Sequence, residues 1–186
     1  MTSFDPKPEI RLQGIGVSPG IAVGPAERLG KTLEEPENLA IAKDAVPAEK
    51  DRFARALAVT REQIVALQNE IEAHEGDSHS AIFDTHLLIL EDSAVLNEVL
   101  RLTETRLISI GWTYYSVIKR YIDSLRKIAD PYLRERAIDI EDVAKRVLRN
   151  LRVEAGEGAD ARPLQPATRV LLAHDFTPSD TVGLDR

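Results

Sequence analysis

Apolar residues recur at helical spacing in four long segments of the chain, each with polar residues on its other side. The pattern predicts helices over Ala48–His74, Ser78–Arg101 with a bend near Asp92, Ser109 or Trp112–Ile128, and Pro131–Leu151. Gly76 suits the end of the first helix, and Pro131 suits the first turn of the last. Four helices with this patterning predict a helical bundle.

The second helix has two unlike sides over Ala81–Val95. Two adjacent rows are apolar enough to be buried against neighbouring helices: Ile82, His86 and Ile89 in one, and Phe83, Leu87 and Leu90 in the other. The opposite side carries Asp84, Leu88 and Glu91, and no Lys or Arg occurs in residues 77–100. This pattern suits a docking surface for a basic partner, and an ordinary solvated acidic face is an equally good interpretation.

The two ends of the chain have a different character. Residues 13–29 mix glycine, proline and β-branched residues, which predicts strand, turn and strand around Ser18-Pro19-Gly20, rather than a phosphate-binding loop. Residues 153–168 indicate a linker, and Arg169–Ala173 a buried strand. A lone strand needs a partner, so we expect it to pair with residues 13–29. The predicted divisions are a disordered leader (1–9), an incomplete α/β domain (10–30 and 168–186), a helical domain (31–152) and a linker (153–167).

Composition restricts the function classes. The chain has 186 residues, 43% of them hydrophobic, and a net charge of −7. Its acidity argues against nucleic acid as a partner, because phosphate binding needs concentrated Lys and Arg. The absence of cysteine excludes disulfides and thiolate chemistry, and is compatible with the cytoplasm. Neither a signal peptide nor a membrane span is predicted.

Side chains that could carry chemistry are few. His79 and His86 are seven residues apart, too far for a helical metal-binding pair, and no metal site is predicted. His86 is interpreted as a hydrogen-bonded interior residue rather than a ligand or phosphoacceptor. An exposed helical face offers Asp84 and Glu91 neither a cleft nor a tuned pKa, so we favour recognition over acid–base catalysis. Arg136 with Asp139 or Glu141 has the spacing of helix-stabilising ion pairs.

Four blocks of sequence carry a resemblance to a known family. They are GIGVSPGIAVGPA at 14–26, AIFDTHLLILED at 81–92, DPYLRERAIDIEDVAKRVLRNL at 130–151 and VLLAHDFTPSDT at 170–181. Together, and in this order, they resemble the N-terminal part of enzyme I of the bacterial phosphoenolpyruvate-dependent sugar phosphotransferase system. The resemblance implies a mainly α fold with a small α/β part, in which a four-helix bundle that binds the phosphocarrier HPr is inserted into a truncated phosphohistidine (swivelling) domain.

The resemblance also implies a reaction. The full enzyme, a cytoplasmic homodimer, takes phosphate from phosphoenolpyruvate, with Mg²⁺ at a C-terminal domain, onto a histidine and passes it to HPr. The family's active histidine follows the block at 170–181 and would lie beyond Arg186, so the 186-residue chain alone is expected to be inactive and to need no cofactor. The alternatives are a non-enzymatic helical adaptor for a basic protein, or the same module in a nitrogen-regulatory or multidomain phosphotransferase.

Family positions carry over onto individual residues. Thr181 matches the threonine that supports the active histidine. Ser78, Ser93, Ala94 and Glu141 depart from the family pattern, which favours a specialised HPr paralogue as the partner. The implied HPr-binding residues are His79, Asp84, Leu88, Ile89, Asp92, Val95, Leu125, Leu133 and Arg136.

Overall fold

The computed structural model describes residues 10–28, 33–75, 77–156 and 170–173, and it is mainly helical within them. A short 3-10 helix, Lys43–Ala45, leads into the bundle. The α-helices are α1 (Val46–Glu75), α2 (Asp77–Leu90), α3 (Ser93–Arg106), α4 (Ile110–Arg126) and α5 (Pro131–Glu154), and the strands are β1 (Ala26–Arg28) and β2 (Val170–Leu172). The predicted leader, the Gly76 stop and most of the predicted linker lie outside the described residues.

The segment predicted to form the second helix forms two separate helices, α2 and α3. The described residues therefore contain five α-helices where four were predicted. After α2 ends, Asp92 adopts an extended backbone with φ −61° and ψ 104°. Its Oδ1 accepts hydrogen bonds from the backbone N–H of Ala94 at 2.8 Å and of Val95 at 3.2 Å. This is an N-cap, which begins a new helix instead of bending the old one. The new helix, α3, also continues five residues beyond the predicted end.

Helix α5 begins as its sequence predicts. Asp130 accepts a hydrogen bond from the backbone N–H of Tyr132 at 2.9 Å, and Pro131 occupies the first helical position, where no N–H partner is needed. Helix α4 is capped from elsewhere in the chain. Its own Ser109 makes no side-chain cap, and the carboxylate of Glu49 in α1 accepts from the backbone N–H of Ile110 at 2.7 Å.

The helices bury one continuous core. Helix α1 packs along α2 and α5, α5 also packs along α4 and α2, and α3 packs on α4. Phe53 and Tyr114 meet with ring centroids 5.5 Å apart. The predicted apolar stripes therefore face inward. The largest core side chains that solvent barely reaches are Phe53, Phe83, Ile64, Ile110, Val99, Val117, Val143 and Val147.

A buried polar contact, which the apolar pattern did not predict, joins α1 to α5. The side-chain amide of Asn150 donates to the hydroxyl of Thr60 at 2.8 Å, and that hydroxyl donates to the backbone oxygen of Ala56 at 2.7 Å. Gln63 donates to the side-chain oxygen of Asn150 at 3.2 Å. These bonds satisfy polar groups that would otherwise be costly to bury.

The two strands pair in parallel, with Ala26 opposite Val170 and Arg28 opposite Leu172. The predicted pairing between the two ends of the chain is therefore confirmed. Two details were wrong. Residues 10–25 form no strand: the first described strand begins at Ala26, and apolar side chains such as Val17 are 98% exposed. The predicted buried strand is only partly covered, with Leu172 48% exposed.

Candidate protein-docking surface

Helix α2 is buried on one side and open on the other. Phe83, His86 and Leu90 are buried in the core, which turns Asp84, Leu88 and Glu91 outward. We call these last three residues the α2 outer face. Leu88 is 73% exposed, and carboxylates flank it one turn away on each side. The predicted division of α2 into two sides is confirmed, except that Ile82, expected to be buried, is 36% exposed.

Both carboxylates of the α2 outer face have partners on α1. Asp84 accepts a hydrogen bond from the side-chain amide of Gln68 at 2.7 Å, and Glu91 pairs with Arg61 at 3.1 Å. The Arg61–Glu91 pair is more than half exposed on both sides, so it adds little to stability. The face remains acidic and accessible around an exposed leucine.

At the junction of α2 and α3, the implied docking residues also have structural roles. Asp92 caps α3, as described above. Val95 is 9% exposed and belongs to the core, and Ile89 is half-buried against it. Little of Val95 is therefore available to a partner, while the carboxylate of Asp92 is exposed. Their docking roles stay predictions from the family resemblance.

The later helices contribute three implied residues. Leu125 in α4 is half-buried against the core, and Leu133 is half-buried in the first turn of α5. Arg136, one turn further along α5, is held by two neighbours. Its Nε and Nη2 donate to the hydroxyl oxygen of Tyr132 at 3.2 and 2.5 Å, and Nη1 lies 3.5 Å from Oδ2 of Asp139. The hydrogen bond to Tyr132 raises the pKa of Arg136, as does the charge of Asp139.

His86 joins α2 to α5 from inside. It is 1% exposed, stands edge-on to Phe83 with ring centres 5.5 Å apart, and has Asp139 Oδ1 at 3.8 Å and Asp142 Oδ2 at 3.9 Å. The predicted interior position is confirmed. The predicted hydrogen bonding is wrong for Nε2, which has no such bond to the described residues. A side chain this buried is closed to a protein partner, so it cannot exchange phosphate with one in this conformation.

The predicted ion pairs of Arg136 and the roles implied for two other residues have different outcomes. The Arg136–Asp139 pair is confirmed, whereas Glu141 pairs instead with Arg126 of α4 and with Lys145. The side chain of His79, on the first turn of α2, and the whole of Thr181 lie outside the described part of the chain. Their roles remain expectations from the resemblance.

Tyr132, whose hydroxyl accepts hydrogen bonds from Arg136, was not among the residues predicted from the sequence. Its signal was present in the spacing, because Tyr132 and Arg136 are separated by four residues and therefore face one another on a helix.

The implied docking residues do not line the two clefts beside α4, which are formed by residues such as Glu35, Tyr115 and Lys119. Among the described residues, no group of three His, Asp or Glu side chains is placed to hold a metal ion. Nor does any described helix have the length and apolar character needed to cross a membrane.

This fold defines a mainly helical domain accompanied by a parallel pair of short strands. A family model described as "PEP-utilising enzyme, N-terminal" matches residues 13–136. The chain belongs to this family.

Its relatives include a phosphoenolpyruvate-protein phosphotransferase from Bacillus sp. (strain S), 34% identical over 178 residues that make up 96% of this chain and 30% of the relative. A multiphosphoryl transfer protein from Xanthomonas campestris pv. campestris is 32% identical, over 97% of this chain and 21% of that protein. The chain thus spans less than a third of the length of these curated relatives.

Two solved structures share the fold. The NMR solution structure of Enzyme I (nEIt) has a TM-score of 0.68 and 30% identity, covering 90% of this chain and 66% of that one. The N-terminal domain of Enzyme 1 – Nitrogen has a TM-score of 0.64 over 90% of this chain and 67% of that one, and at 20% identity it supports the fold alone. The mainly helical fold expected from the resemblance is therefore confirmed.

Proposed function

We propose that this chain is the part of a phosphoenolpyruvate-protein phosphotransferase that docks the small phosphocarrier protein HPr, so that phosphate can pass between the two proteins. Membership of the PEP-utilising enzyme N-terminal family supports the reaction class. The observation that carries the docking role is the 73% exposure of Leu88 on a helix whose other side is core. An apolar side chain flanked by two carboxylates suits a contact that is dry at its centre and charged at its rim.

Charge supports the same partner. Residues 77–100 contain no Lys or Arg, and Arg61 of α1 pairs with only one of the two carboxylates, so the α2 outer face keeps a negative charge that attracts a basic surface. Complementary charge speeds encounter and sets orientation more than it adds affinity. Burial of Leu88 then adds to the binding free energy, by about 1.5–3 kcal/mol if the whole side chain is removed from water.

We further propose that the helical bundle is an insertion in an α/β phosphohistidine domain. Strand β1 precedes all five described α-helices and β2 follows them, and the two strands pair in parallel. That pairing supports a second unit to which both ends of the helical segment return.

The test is Leu88→Asp in the protein at its full natural length, titrated with HPr by calorimetry. We expect ~10- to 100-fold weaker binding, since a factor of ten corresponds to 1.4 kcal/mol, with an unchanged helical circular-dichroism spectrum because Leu88 is outside the core. Leu88→Ala removes apolar area without adding charge and should lose part of that affinity.

A matched control is Val153→Asp, which changes an apolar residue of 52% exposure at the far end of α5. Asp142 is the α5 residue that approaches His86 of α2. At 1.5 Å per residue, Val153 lies about 16 Å further along α5. HPr should bind this variant as it binds the wild type. Equal affinity of HPr for Leu88→Asp and the wild type would contradict the proposed docking surface.

A further inference from the structure

Arg136 is an unusual member of the proposed docking surface. The α2 outer face carries only acids and a leucine, whereas Arg136 brings a cation from α5. Arginine side chains on a protein surface ordinarily sample many rotamers, and immobilising one on docking has an entropy cost. The contacts made by Arg136 oppose that sampling.

Three of its five N–H groups are engaged within α5. The hydroxyl oxygen of Tyr132 accepts from Nε at 3.2 Å and from Nη2 at 2.5 Å, and the guanidinium carbon lies 4.9 Å from the centre of the Tyr132 ring. Nη1 donates to Oδ2 of Asp139 at 3.5 Å. One N–H on Nη1 and one on Nη2 have no partner among the described residues. The side chain is 35% exposed, so solvent and a partner can reach it.

Each of the two neighbours has a further contact. The backbone N–H of Tyr132 is held by the cap residue Asp130 at 2.9 Å, in the first turn of α5. The second carboxylate oxygen of Asp139, Oδ1, faces the buried His86 of α2 at 3.8 Å. Asp139 thus lies between Arg136 and the helix that carries the α2 outer face, close to His86 without a hydrogen bond to its Nε2.

We propose that Tyr132 and Asp139 are positioning residues, which hold the Arg136 guanidinium in one orientation before docking, with two N–H groups aimed at an acceptor oxygen of the docked phosphocarrier. This inference rests on the proposed function, because it takes Arg136 as part of the HPr surface. A guanidinium with one free N–H on each terminal nitrogen suits a carboxylate or phosphate oxygen. Holding it in advance lowers the entropy cost of the contact.

The decisive variant is Tyr132→Phe, which keeps the ring and removes the oxygen that accepts both hydrogen bonds. In the free protein at its full natural length, NMR relaxation of the Arg136 Nε–Hε group should show an ordered side chain in the wild type and a mobile one in the variant. Tyr121→Phe is the matched control: Tyr121 is a partly exposed tyrosine on α4 that makes ring contact with Arg120. It should leave Arg136 unchanged.

A double-mutant cycle then links the order of Arg136 to docking. Tyr132→Phe should weaken HPr binding ~3- to 10-fold, the range expected for losing one or two surface hydrogen bonds, and should have no effect on binding in an Arg136→Met background. In phosphoryl-transfer assays the variant should raise KM for HPr and leave kcat unchanged. Repeating the titration with phosphorylated HPr distinguishes the acceptor: an equal effect indicates a carboxylate, and a larger effect indicates the phosphoryl group.

The outcomes separate the two proposals. Equal order of Arg136 in the wild type and Tyr132→Phe, or a Tyr132→Phe loss of affinity that persists without Arg136, would overturn the positioning role and leave HPr docking intact. If HPr does not bind the wild type, the proposed function fails together with the docking role of Arg136. The relaxation measurement alone would still decide whether Tyr132 orders the guanidinium.

Discussion

Asp92 has two possible roles that can be tested separately. It is the N-cap of α3, and the family resemblance implies that it also contacts HPr. The perturbation is a pair of variants, Asp92→Ala and Asp92→Asn. One carboxylate oxygen accepts from two backbone N–H groups, at 2.8 and 3.2 Å. Replacing such a cap by alanine costs about 1 kcal/mol, whereas asparagine caps about as well as aspartate. For a domain of about 150–250 residues, 1 kcal/mol corresponds to a fall in Tm of roughly 2–4 °C.

The assay combines calorimetric unfolding with HPr titration at low ionic strength. Asp92→Ala should unfold ~2–4 °C lower than the wild type, and Asp92→Asn within about 1 °C of it. If the charge of Asp92 contacts HPr, both variants should lose affinity to the same extent, because both lack the carboxylate. Equal Tm values for Asp92→Ala and the wild type would refute the capping argument. Wild-type affinity in Asp92→Asn would mean that Asp92 serves only as a cap.

Two further predictions test the packing of α4. Glu49→Ala should lower the free energy of unfolding in urea by ~1–2 kcal/mol, because it removes the 2.7 Å cap on the backbone N–H of Ile110, while Glu49→Gln keeps an acceptor and should lose less. Equal midpoints for Glu49→Ala and Glu49→Gln would show that the cap is unimportant. Burial raises the pKa of Tyr114 above that of an unfolded tyrosine, which is ~10. Above pH ~10 the unfolded state therefore releases this proton first, and stability falls as the pH rises. In unfolding curves measured at increasing alkaline pH, Tyr114→Phe should lose less stability per pH unit than the wild type. An equal loss in both proteins would contradict the raised pKa of Tyr114.

Much of the helical architecture could be predicted from local pattern. Phe53 and Ile64 recur at the spacing of one helical face, and both are in the core. The outward position of Leu88 followed from the same spacing, because the residues one turn on either side of it are carboxylates. Helix periodicity depends on neighbours within about one or two turns, so these features needed no tertiary information.

Other features depended on residues far apart in the chain. The Asp92 cap is an exception, because it is local: the apolar pattern continues across Asp92, so one bent helix was predicted where this cap begins a second helix. The cap on α4 comes from Glu49, sixty-one residues before Ile110. Residues 10–25 have strand-like composition, but a strand also requires a neighbouring strand, and the parallel pairing begins only at Ala26, opposite Val170.

The helical class, the acidic outer side of α2 and the family to which the chain belongs follow from the sequence alone, because they rest on local spacing and on blocks of residues in order. The exposure of each implied docking residue depends instead on tertiary packing. Packing of α2 and α3 on their neighbours leaves Leu88 exposed and buries Val95, although both were implied together. The approach of Asp139 to His86 connects Arg136 to α2, which periodicity within α5 alone could not predict. Burial and side-chain partners depend on how separate helices pack against one another. The spacing of residues within one helix does not specify that packing.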